Sequence, residues 1–97
     1  MNDKTTQPPN SNSASAQRQR ILDHLRENQR MTTIFARDHL DIPSPAPRVF
    51  ELRHEFNFNI QTHWCIDETY KGKKHRFAEY VLFPGTFKDG LSVSNAI

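Results

Sequence analysis

The sequence has one cysteine among its 97 residues. Cys65 therefore closes no internal disulfide and supplies no cysteine-rich zinc site. No run of about eighteen apolar residues occurs, which excludes a transmembrane helix. The opening MNDKTTQPPNSNSASA lacks the apolar core of a secretory signal, so the expected location is cytoplasmic. A strong charge of either sign is also missing. Thirteen Lys and Arg stand against eleven Asp and Glu, for a net charge of +2, so composition alone demands no anionic partner. Ninety-seven residues make one small domain with little room for a buried catalytic cleft, which favours a binding module over an enzyme.

Mean hydropathy is low, at -0.79. Residues 1–16 are Ser, Asn, Thr, Pro and Gln with almost nothing apolar, and they read as a disordered tail. Residues 84–97 carry a proline, two glycines and a few apolar residues without period, and they read as a flexible tail. The folding unit expected between them is 17–83.

Within it, QRQRILDHLRENQ places Ile21, Leu22 and Leu25 on one narrow stripe of an amphipathic helix. Met31 lies in a short extended stretch. Thr32 or Thr33 can cap a second helix, IFARDHL, whose inner positions are Ala36 and Leu40. The chain must reverse at DIPS, where Asp41 tolerates a left-handed backbone. Ser44 and Pro45 have the order of an N-cap followed by a first helical residue, and Pro47 still falls in the first turn, where a missing N–H costs nothing. In that third helix Val49, Leu52 and Phe56 point one way; Pro47, Arg48, Glu51 and His54 point the other. NFNIQTHWCI then alternates, with Ile60, Thr62, Trp64 and Ile66 on one face and Gln61, His63, Cys65 and Asp67 on the other. A turn at Gly72 leads to HRFAEYVLF, with Ala78, Tyr80 and Leu82 on its inner face. The pair reads as a β-hairpin with a long loop, and Trp64 as core.

That loop, TYKGKKHRF, holds Lys71, Lys73, Lys74 and Arg76 around His75. Cations so spaced on a hairpin tip suit phosphate oxygens, although lysines also sit on such tips for solubility alone. Two helices with a short turn between Leu40 and Ser44 suit a helix-turn-helix. On the pieces QRQRILDHL, MTTIFARDHLDIP, RVFELRHEFNFNIQTHW and FAEYVL, the run from Gln17 to Leu82 resembles the small winged helix-turn-helix proteins of bacteria and their phages. The resemblance implies an α+β, mainly α domain: three helices closed by a C-terminal β-hairpin wing. It implies binding of double-stranded DNA through the helix from Pro45 to Phe56, with the hairpin loop as wing, in transcriptional or mobile-element control near the nucleoid.

The residues expected at DNA are Ser44, Pro47, Arg48 and Glu51 at base edges, and Lys71, Lys73, Lys74, His75 and Arg76 on the backbone. Glu51 has a competing reading as the ion-pair partner of Arg48. Ile34 and Phe35, adjacent at the start of the second helix, are hard to bury together, so they suggest a surface for a second copy or another protein. A winged helix that binds only protein is the alternative function. His63, Cys65, Asp67 and His75 match no structural zinc spacing, and no acid–base pair is apparent. No metal, cofactor or catalysis is therefore expected.

Overall fold

The computed structural model describes residues 12–68 and 71–87, in the order α1 (Ala14–Asn28), β1 (Arg30–Thr32), α2 (Thr33–His39), α3 (Pro45–His54), β2 (Phe58–Glu68) and β3 (Lys74–Thr86). The expected tails outside those bounds, 1–11 and 88–97, lie beyond the described residues. At the near edges the elements run past the expected 17–83. The Ser13 side chain accepts from the Ala16 N–H and starts α1 early. Strand β3 continues through Pro84 and Gly85 to Thr86.

Strand β3 occupies the centre of a three-stranded antiparallel sheet of order β1-β3-β2. The stretch at Met31 is thus a true strand, with Met31 opposite Tyr80 and Thr32 opposite Glu79. Strands of 3, 11 and 13 residues nearly match helices of 15, 7 and 10, so the domain is α+β without being mainly α. The proline inside β3 is tolerated because β2 changes register between Phe58 and Ile60. There the buried Asn59 donates its amide to the Pro84 carbonyl at 3.0 Å, and Gln61 donates back to Asn59 Oδ1 at 2.6 Å.

Ile21, Leu22 and Leu25 from α1, Ala36 from α2, and Val49 and Leu52 from α3 pack on Met31, Ile60, Ala78 and Tyr80 of the sheet. Ile42, between α2 and α3, is fully buried in the same cluster. It anchors a turn in which Asp41 has φ 57° and the Leu40 and Ile42 N–H groups both reach the Ala36 carbonyl at 3.1 Å. Asp41 thus adopts the left-handed geometry its position suggests. From α1, Arg20 donates through Nε to the Leu40 carbonyl at 2.7 Å and braces the turn from outside.

Three inward expectations are corrected. Phe56 lies beyond the end of α3 and is exposed, with the Arg18 guanidinium 5.1 Å from its ring centroid. Trp64 is 55% and Ile66 70% exposed. Both share the inner face with Ile60, but the strands extend past the helices that would cover them. Period-two alternation chooses a face, and whether that face is covered depends on how far the opposing layer reaches.

Candidate nucleic-acid interface

Helix α3 begins at Ser44, whose backbone is extended and whose side chain makes no capping hydrogen bond. Pro45 occupies the first helical position and is buried, while Ala46 and Pro47 are exposed. One turn on, Phe50 is 58% exposed, and its ring lies 4.3 Å from that of His54. The outward line of α3 is therefore Pro47, Phe50 and His54. Phe50 falls between the inner and outer positions of the helical period, so spacing alone assigns it to neither face.

Arg48 and Glu51 turn toward α1. Glu51 accepts from Arg18 at 2.7 Å and from Arg48 at 2.9 Å, and all three side chains are largely covered. The ion pairing weighed for Glu51 is present, and a second arginine joins it. Arg48 Nε is buried without a hydrogen-bond partner. A buried donor left unpaired raises the energy of that arrangement, so less is lost when the guanidinium swings away from Glu51. Replacing Glu51 by Gln removes the charge shared by both arginines. Thermal unfolding of Glu51→Gln should show a loss of about 1 kcal/mol, typical of a partly exposed pair. An unchanged melting temperature would mean the network contributes nothing to the fold.

Farther along α3, Arg53 joins the helix to β2. Its Nε donates to the Ile60 carbonyl at 2.5 Å, and its Nη2 donates to Thr62 Oγ1. Burial lowers its guanidinium from the ordinary value, with Tyr80 acting in the opposite sense. Arg53 thus fixes which side of the sheet α3 lies on.

Past Thr62, that same face of the β2–β3 pair emerges from the helix layer. Trp64 comes first, with the Arg76 guanidinium 4.4 Å from its ring centroid. Ile66 follows, directly opposite Arg76, and then Glu68 opposite Lys74. Lys71, Lys73, Lys74, His75 and Arg76 are all exposed. The expected long loop is shorter, since pairing begins at Lys74, so Lys74, His75 and Arg76 are held on a strand while Lys71 and Lys73 flank Gly72 at φ 82°. Side-chain direction alternates along β3, placing Lys74 and Arg76 on the α3 side and His75 on the other, opposite Asp67.

Arg53 thus ties α3 to the same strand that carries Trp64 at the cationic end of the arm. No helix among the described residues is long and apolar enough to cross a membrane. Residues 16–84 match a family model described as a winged helix-turn-helix domain. No curated protein and no solved structure matches the chain.

Proposed function

As the chain belongs to the winged helix-turn-helix domain family, we propose that it binds double-stranded DNA sequence-specifically, with α3 in the major groove and the β2–β3 arm as the wing. The observation that carries this reading is the single face shared by α3 and the cationic end of the arm, fixed by the Arg53 bonds to β2. Ser44 and Pro47 approach base edges from the start of α3. Arg48 forks to a guanine once it leaves Glu51, which retains Arg18. Phe50 is placed to meet a thymine methyl group. Lys71, Lys73, Lys74 and Arg76 follow the phosphates and set affinity and register more than sequence, while His75, opposite Asp67 on the other face of the arm, stays off them. Such binding serves the control of transcription or of a mobile element.

Titrating the isotope-labelled chain with a short duplex tests the geometry. Amide shifts should cluster on residues 44–54 and 64–76. Shifts confined to β1 and the opposite sheet face would overturn it.

A second reading, a contact with another copy or another protein, rests on Ile34, which is 53% exposed at the start of α2. Phe35 contributes less to such a surface, since its ring packs between His24 at 4.4 Å and His39 at 4.6 Å. Under this reading Ile34→Glu keeps the melting temperature and lowers the mass in solution. An unchanged mass would remove Ile34 from any self-association.

A further inference from the structure

The sheet face turned away from the helices carries a second group of chemically distinctive side chains. His63 and Cys65 lie two residues apart on β2 and so project from the same face. Glu79 on β3 is the direct cross-strand partner of His63. A histidine nitrogen, the Cys65 sulfur and a Glu79 carboxylate oxygen all lie within 4.8 Å of one another. His63 Nδ1 is 3.7 Å from Glu79 Oε1.

Imidazole, thiolate and carboxylate together make a donor set suited to a borderline divalent cation. Calcium and magnesium take oxygen ligands and would leave the sulfur and nitrogen unused. Zinc accepts all three donor types at about 2.0 to 2.3 Å, which sets neighbouring donors roughly 3.3 to 3.8 Å apart in a tetrahedral site. The His63–Glu79 separation already falls in that range. The sulfur needs a shift of about an ångström, which a small change at the cysteine χ1 supplies. Arg30, from β1, holds Glu79 Oε1 at 3.4 Å. Both Arg30 and His63 meet the same oxygen, Oε1, and a carboxylate has two, so a rotation of the Glu79 carboxylate hands Oε2 to Arg30 and leaves Oε1 beside His63 for the metal.

We propose that His63, Cys65 and Glu79 form a zinc-binding site on the outer face of the sheet, with the fourth position open to water or to a ligand. The sequence concealed it because local spacing shows only His63 and Cys65; the third ligand arrives through strand register. Bound zinc would cross-link β2 to β3 near the point where the helix layer ends, and so stiffen the base of the arm. The proposal stands apart from DNA binding, since these side chains face away from α3.

The test uses the full-length reduced protein with Co²⁺ as a spectroscopic probe and Zn²⁺ in calorimetry. One equivalent of Co²⁺ should produce a thiolate-to-metal charge-transfer band, and Cys65→Ser should abolish it. His63→Ala and Glu79→Gln should each weaken Zn²⁺ binding by at least about tenfold, the loss that even outer-shell partners of a metal can cause. All three positions are outside the hydrophobic core, and unfolding midpoints measured without metal confirm that the variants remain folded. Absence of the band, its survival in Cys65→Ser, or unchanged Zn²⁺ affinity in both His63→Ala and Glu79→Gln would overturn the site, the last by placing the ion on other histidines.

Discussion

Replacing Lys71, Lys73 and Lys74 by alanine should flatten the dependence of duplex affinity on salt. Each phosphate neutralised by a lysine releases condensed counterions and adds about 0.9 to the slope of log affinity against log salt. Loss of three such contacts reduces that slope by about two to three. The effect on affinity is largest at low ionic strength and shrinks as salt rises, since the contribution removed is itself the salt-sensitive one. Lys74 stands on β3, on the α3 side, while Lys71 and Lys73 flank the turn at Gly72. Single replacements should therefore differ, with Lys74 closest to one full contact because its strand restrains it. Binding isotherms at several salt concentrations give the slope directly. A slope unchanged in the triple variant would remove the end of the arm from the interface while leaving α3 in place.

The second large effect separates stability from recognition. Ile42 is fully buried and holds the turn that sets α3 against α2. Ile42→Ala should cost about 2 to 5 kcal/mol, because the cavity lies among the tightly packed Ala36 and Val49 group and cannot collapse freely. In a domain this small, that corresponds to a drop in melting temperature of at least about 8 °C. Trp64 is the larger side chain, yet Trp64→Ala should cost less than about 1 kcal/mol, since it loses little beyond the stacked Arg76 guanidinium. Duplex affinity should reverse the order once measured on folded protein. Loss of Trp64 and of the order it imposes on Arg76 should weaken binding about fivefold or more, the effect of an interface anchor worth over 1 kcal/mol. Thermal unfolding and binding isotherms on the two variants decide this. A Trp64→Ala protein that melts as low as Ile42→Ala would return the indole to the core.

Much of this architecture was legible in the chain. Thr32 caps α2 by accepting from the Phe35 N–H, and Asp41 takes the left-handed turn, because capping and turn chemistry act over three or four residues and leave local signals. The stripe of Ile21, Leu22 and Leu25 and the inner pair Val49 and Leu52 are buried as their helical spacing requires. Long-range arrangement left weaker traces. Three residues at β1 were too few to show a period, and their place beside β3 depends on register with Tyr80 and Glu79. Trp64 and Ile66 carry the alternation of core residues with nothing opposite them to complete a core.

The candidate site was legible in part for the same reason. The basic residues from Lys71 to Arg76 are exposed, as a run of charge at a hairpin tip implies. Arg48 and Glu51 were placed on the outer face by helical spacing alone, but their side chains are long enough to fold back onto Arg18 of α1. Only the packing of α1 against α3 reveals that network. With Arg48 and Glu51 drawn toward α1, Phe50 is left exposed on the outward line of the helix.

The most direct measurement mixes the full-length chain with a pool of random-sequence duplexes at low and then physiological salt and sequences the retained fraction. Retention at low salt and convergence on a common motif as salt rises are expected, because phosphate contacts weaken while base contacts from α3 persist. Failure to retain any duplex at low salt would contradict it.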